Sequence, residues 1–425
     1  MTTTNQTRTD GFCCDEYAAM HAAVSRRGLI GGALALAGAT TMVGGAVVTA
    51  SPARAQSASS VLVVLSLRGA ADGLSLVVPH GDPVYYAARP RIAVPSDRLL
   101  LKDGFFGLHP SMSALVPLWT AGQVAAVHAT GLPVANRSHF AAMEALEDAD
   151  PGSSARVGWI NRLIGTDSYP NPLQAIGMGF STPITAMYGP EATVTTASAD
   201  QMVLAGADQW DPEGRRPLSL HTLWADAPGA AGRGGRAALS AVDDFAPVLE
   251  VPETPANGAA YSDDDLGQAL ADAARTIKAD VGAEVISVDH DGGWDMHANL
   301  GTLSWGTMLG AAGALATSLA AFFTDLGPLG DKVTVVTISE FGRRVRENAN
   351  YGLDHGHGNV MFVLGAGVRG GYRGTWPGLV DSLDADLAVT TDYRSVLAEI
   401  VDRCLGRSAA TVFPGFSPEM VGAVG

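Results

Sequence analysis

Residues 61–67 read V-L-V-V-L-S-L, an aliphatic and β-branched run in which polar residues do not alternate with apolar ones. A strand with one face in water alternates. A strand that is apolar throughout is covered on both faces, as in a parallel sheet flanked by helices. Similar runs recur at residues 124–129, 283–288, 333–339 and 360–364, each followed by Gly, Asp or His and not by a hairpin turn. Such strand ends define an open α/β sheet, in which ligands sit outside the carboxyl ends of the strands.

Between these runs, residues 112–120, 139–148 and 305–326 have the pattern of helices, the last with an apolar stripe and a stop at Pro328. Residues 226–260 are rich in Ala, Gly and Pro with little periodicity, and read as a surface excursion dividing the sheet-forming sequence. No repeat of fixed period is present.

Ser25-Arg26-Arg27-Gly28-Leu29-Ile30, an uncharged run to Ala50 and then Ala53-Arg54-Ala55 have the form of a twin-arginine export signal with a small-residue cleavage site. The uncharged run is also long enough to be an uncleaved anchor, although Gly and Ala weaken its insertion. Cleavage after Ala55 divides the chain into a signal, 1–55, and a mature part, 56–425, with a variable excursion at about 152–278. It places the mature protein in the periplasm or outside the cell, with the twin-arginine translocase as partner during export and no stable membrane anchor afterwards. The signal takes Arg8, Arg26, Arg27 and Arg54 with Asp10, Asp15 and Glu16 from the 27 basic and 43 acidic residues, leaving a net charge of −17. That balance argues against nucleic acid or anionic lipid as partners. Cys13 and Cys14 leave with the signal, so Cys404 has no internal disulfide partner.

Four strand-end loops concentrate the reactive residues. Asp72-Gly73 places a carboxylate after a buried strand, either as a ligand or as a cap on the next turn. Asn136-Arg137-Ser138-His139-Phe140 opens a helix. Ser138 is there an N-cap or a nucleophile at a helix amino terminus, with Arg137 and His139 available to bind or protonate an anion. Residues 289–297, D-H-D-G-G-W-D-M-H, pack three carboxylates and two imidazoles behind a strand. This mixture suits zinc, manganese or calcium, the alternative being a solvated acidic loop. Glu340 ends another strand, followed by Arg343 and by Asp354-His355-Gly356-His357-Gly358, whose glycines allow close backbone approach.

The set A-D-G-L, N-R-S-H-F, D-G-G-W-D-M-H, S-E-F-G-R and D-H-G-H-G, behind a twin-arginine signal, resembles the exported bacterial family known as domain of unknown function 1501. That family is grouped with the alkaline phosphatase and sulfatase superfamily. The resemblance implies a three-layer sandwich with a mostly parallel central sheet and helices on both faces. It also implies a metal-dependent hydrolase of phosphate or sulfate esters, acting on a small-molecule or polymer ester. By position it makes Ser138 the nucleophile and Asp72, Asp295, His297, Glu340 and His355 metal ligands, with Asp291 and His357 as alternates. Arg137, His139 and Arg343 would stabilise charge on the transferred group. Where the superfamily has Asp-His this chain has Glu340-Phe341, and a phenyl ring cannot ligate a metal. One metal position is then weakened, moved to a histidine such as His139, or lost. The sulfatase signature around the nucleophile is absent. The alternative from another class is a non-catalytic exported protein that binds an anion or a polymer through a degenerate metal site.

Overall fold

The computed structural model describes residues 40–43, 46–49, 57–150, 153, 155–166, 171–206 and 211–425. Arg26, Arg27 and the cleavage site at Ala53-Arg54-Ala55 lie outside them. The described strands are β1 (Thr40–Val43), β2 (Ala46–Thr49), β3 (Val61–Leu67), β4 (Val77–Val78), β5 (Gly107–Leu108), β6 (Val124–Gly131) and β7 (Ala175–Met178). They continue with β8 (Val194–Thr196), β9 (Val285–His290), β10 (Val333–Ile338), β11 (Asn359–Gly365), β12 (Gly371–Arg373) and β13 (Thr391–Asp392). The main sheet runs β1-β2-β8-β7-β9-β3-β10-β11-β6-β12, with β13 also pairing β6, while β4 and β5 form a separate pair. Within it β2 and β11 are antiparallel to their neighbours, and the remaining pairs are parallel.

Successive side chains of a strand face opposite ways, so an all-apolar strand feeds two cores. In β3, Val61, Val63, Leu65 and Leu67 belong to one core and Leu62 and Val64 to the other. Helices cover both sides. α1 (His139–Asp148) and α5 (Tyr393–Arg403) cover one side, whereas α2 (Gly229–Glu250), α3 (Asp265–Ala279) and α4 (Thr307–Leu326) cover the other. The chain is thus a three-layer α/β sandwich with a mostly parallel sheet, as the apolar runs require.

Two readings of the sequence need correction. Residues 226–260 are not a loop excursion, because they contain the 22-residue helix α2, whose Ala237, Ala238, Ala241, Phe245 and Val248 are buried. Alanine is the best helix former, and a stripe of small residues lets the helix pack closely. Gly235 shows how tightly: a Cβ there would stand 2.6 Å from the Trp224 ring. The segment 152–278 also contains β7 and β8, which extend the central sheet. Strands of four and three residues are too short to register as apolar runs.

Candidate metal centre

The loops rich in ionisable residues meet at one edge of the sheet. β3, β9, β10 and β6 are mutually parallel, so the loops that follow them share that edge. β11 runs the opposite way, which brings the loop before it, residues 353–358, to the same edge. Glycine makes the close approach possible. Gly342 N–H donates to His357 O and Gly356 N–H to Gly342 O, each at 2.8 Å. A Cβ on Gly342 would lie 1.9 Å from Gly358 O.

At this junction His139, Asp295 and His355 bring ligand atoms within 4.8 Å of one another. His355 Nε2 is 3.1 Å from His139 Nε2 and 2.8 Å from His297 Nε2. Asp295 Oδ1 lies 3.3 Å from His297 Nε2 and 3.7 Å from the Nε2 atoms of His139 and His355. Each ring is held from behind. His139 Nδ1 lies 2.8 Å from Glu340 Oε1, His297 Nδ1 3.2 Å from Asp354 Oδ1, and His355 Nδ1 2.9 Å from Arg137 O. An Nδ1–H donated to an oxygen leaves Nε2 as a lone pair, the tautomer a metal requires, and such rear partners also fix ring orientation. Lone pairs turned on one another at these distances repel unless a proton or a cation lies between them.

Arg343 ties the junction together. Its fully buried guanidinium donates to Asp295 Oδ1 at 2.7 Å and to the carbonyls of Gly69, Ala70, Trp294 and Leu353, which come from three different loops. Two of those carbonyls are presented by a left-handed turn, with φ of 109° at Gly69 and 59° at Ala70. For Ala70 that conformation costs about 1 kcal/mol. Burial opposes charging His139, but without a cation the hydrogen bonds to Asp295 and Glu340 outweigh it and hold the ring up at about 9, so a metal binding there would displace the Nε2 proton. Burial would raise Glu340, but the same contact with His139 keeps it below its usual value. His297 moves down, through burial and then the Arg343 charge.

The site residues expected from the sequence are placed unequally. Asp295, His297 and His355 come together with His139, whose Nε2 turns toward the same carboxylate oxygen. Glu340 stands behind His139 and also accepts from Gly69 N–H at 2.8 Å, so it supports a ligand and does not face the centre. Asp72 is not in the centre: Arg89 donates to its two oxygens at 2.5 and 3.0 Å. Its carboxylate is committed to that pair, which is buried at 0 % and 1 % exposure. His357 turns away to Leu132 O at 2.8 Å, and Asp291 is exposed. Arg343 is a buried scaffold residue, out of reach of a substrate. Arg137 pairs with Asp386. Ser138 caps α1, its Oγ accepting from Ala141 N–H at 3.5 Å, immediately before His139. Phe341 packs against both His139 and His355, with ring centroids 4.9 and 4.8 Å away. Asp354 and the Arg137 carbonyl were not anticipated; the Asp-His dipeptide at 354–355 was the available signal for the first.

The molecule is therefore a mostly parallel α/β protein with a possible His/Asp metal site at the carboxyl edge of its sheet. A family model described as "Protein of unknown function (DUF1501)" matches residues 250–398, the stretch that carries three of the five motifs. No curated protein matches the chain. Among solved structures, the lipoteichoic acid synthase LtaP from Listeria monocytogenes overlaps at 9% identity and a TM-score of 0.33, covering 88% of this chain and 78% of that one. A structure titled Ps i-CgsB overlaps at 10% identity and a TM-score of 0.28, covering 75% and 68%. Overlaps this weak bear on no residue or activity of this chain.

Proposed function

We propose that this chain is an exported, metal-dependent hydrolase of phosphate or sulfate esters, carrying its cation on His139, Asp295 and His355, with His297 as a fourth donor. The observation that carries the reading is the donor set itself: imidazoles fixed through Nδ1, with Nε2 turned to a shared buried carboxylate oxygen. Nitrogen-rich sets of three or four ligands suit zinc, with manganese as the next choice. Calcium wants six to eight oxygens and fits poorly. When bound, the cation would supply Lewis acidity and positive charge for an ester oxyanion.

The chain's own residues supply the rest. A divalent ion held there would add positive charge beside Asp295 and Arg343, which attracts an anion. Ser138 Oγ stands at the amino end of α1, where exposed backbone N–H groups favour negative charge. Attack by that oxygen on phosphorus or sulfur would form the Ser138 O–P or O–S bond as the ester P–O or S–O bond breaks, the serine proton ending on the departing alcohol, and water would later cleave the seryl ester to free the serine and release phosphate or sulfate. The partners are then an ester substrate and, during export, the twin-arginine translocase, with no nucleic acid and no lasting membrane anchor.

Two observations favour a binding protein instead: Ser138 already serves as an N-cap, and Asp72, expected at the centre, is locked by Arg89. Elemental analysis of purified protein, followed by a panel of chromogenic phosphate and sulfate esters, separates the two. Bound zinc or manganese with turnover abolished by chelation supports the hydrolase. Bound metal without turnover across the panel supports the binding protein. Absence of metal, with a melting temperature unmoved by chelator, overturns both.

A further inference from the structure

The loops that carry His297 and His355 run side by side in a short ladder. Leu353 N–H donates to Met296 O at 2.9 Å, Asn348 Nδ2–H to His297 O at 2.8 Å, Asn299 N–H to Asn350 O at 3.0 Å and Gly301 N–H to Tyr351 O at 3.3 Å. A Cβ on Gly352 would lie 2.2 Å from His297 O, so the two backbones touch at the donor residue itself. At the far end of this ladder two aromatic residues are open to solvent, Tyr351 at 37% and Trp305 at 42% exposure, their rings edge to face with centroids 5.3 Å apart. Both are held in place. Tyr351 has a φ of 53°, a left-handed backbone that a bulky side chain rarely takes. Arg91 stands 4.4 Å from its ring centroid, tied in turn to Glu347 and to the carbonyls of Asn348 and Ala349. Trp305 closes the turn that begins at Gly301, its carbonyl accepting from Thr302 N–H at 2.7 Å.

Strain of this kind persists only where the surrounding structure enforces it, and here it holds an aromatic face open to water a few residues from two donors of the centre. We infer that Tyr351 and Trp305 form a stacking site for a sugar ring, so that the ester taken by the centre is a phosphate or sulfate ester of a carbohydrate. A sugar ring has an apolar C–H face to lay on an aromatic ring and hydroxyls around its edge. The surroundings match both features. Asn299 and Asn350, exposed members of the ladder, carry amides that donate and accept, and the hydroxyls of Thr302 and Ser304 lie on the turn that presents Trp305. An aryl or acyl group has no hydroxyls for these partners and takes an enclosed apolar pocket instead of an open face. The inference rests on the reading of the centre as one that takes an anionic ester, and adds to it the alcohol that the ester carries.

The test is calorimetric titration of the metal-loaded protein with ethyl phosphate and with the phosphate monoesters of glucose, galactose and N-acetylglucosamine at their primary hydroxyls, then with the matching sulfates. At least one sugar ester should bind about tenfold tighter than the ethyl ester of the same anion, a ratio worth ~1.4 kcal/mol. Trp305→Ala and Tyr351→Asn should each bring that ratio down toward one. Tyr351→Asn has a second readout: Asn tolerates the left-handed backbone, so the melting temperature should hold or rise while the sugar preference is lost. A ring that serves only the fold predicts the opposite, a lower melting temperature with the preference kept. No preference for any of the sugar esters, or one that survives both substitutions, overturns the inference. Should Tyr351→Asn fail to fold, Trp305→Ala alone decides, because its exposed ring tolerates removal. Methyl glycosides of the same sugars, which carry no anion, separate this inference from the reading of the centre. Glycoside binding that is lost in Trp305→Ala, in a protein that neither binds nor turns over any ester, would sink the hydrolase reading and leave the stacking site standing. Turnover of ethyl and sugar esters with equal affinity would do the reverse.

Discussion

Asp72 and Asp295 are both buried carboxylates in loops that follow parallel strands, and both are held by a buried arginine, yet they have different environments. Arg89 takes both oxygens of Asp72, and the pair closes on itself. Arg343 takes Oδ1 of Asp295, and the same atom faces three imidazoles delivered by α1 and by the loops around His297 and His355. A strand-end aspartate thus becomes a candidate ligand through what other loops bring to it. Where an arginine takes both of its oxygens, the same residue type becomes a strut.

The largest effect that would sharpen this contrast is on stability. Arg89→Met leaves Asp72 as an unpaired buried charge and should cost about 3–5 kcal/mol in denaturant unfolding, with metal content unchanged. Metal loss in that variant would break the contrast by drawing Asp72 into the centre. On the other side, Ser138→Ala should lower ester turnover at least on the order of a thousandfold, ~4 kcal/mol of transition-state stabilisation, while the metal stays bound. A residue that only caps α1 predicts ~1 kcal/mol of stability lost and nearly normal turnover.

A smaller effect belongs to His109, whose Nδ1 accepts from Ser111 N–H at 3.1 Å. Burial holds this ring down at about 4, against the pull of the Asp72 charge. Its folded value lies below the unfolded one of ~6.5, so the unfolded chain binds more protons between the two. The stability it contributes is complete above pH ~6.5 and is lost as pH falls toward 4, approaching ~3 kcal/mol at ~1.4 kcal/mol for each pH unit. His109→Gln should flatten that slope in pH-dependent melting, and an unchanged slope would show that the ring charges freely. The smallest change is behind the centre. Asp354→Asn should weaken metal affinity 10–100-fold, or ~1–3 kcal/mol, by releasing the rear hydrogen bond of His297. Unaltered affinity in a competition titration would remove His297 from the donor set.

How much of the molecule could be read from its sequence depended on the range of the interactions. The run at 61–67 became β3 over the same residues, and residues 139–148 became α1. The helix α2 is hard to read locally because glycines and Pro247 interrupt a sequence whose apolar face is carried mainly by alanine. The loops of the centre were visible as dense clusters of acids and imidazoles, and the glycines of 354–358 as sites of close approach.

The sequence by itself determined that the strands are buried on both faces, and hence a layered α/β sheet with its reactive loops at strand ends. Those are consequences of side-chain order along the chain, which repeats within a few residues. Only the tertiary structure decided which carboxylate meets which partner. Asp72 and Arg89 are 17 residues apart, His139 and His355 are 216 apart, and nothing local distinguishes the strut from the ligand set. The choice follows from the reversed direction of β11, which carries His355 to the edge where β6, β9 and β10 end, so that imidazoles surround Asp295 while both oxygens of Asp72 pair with Arg89.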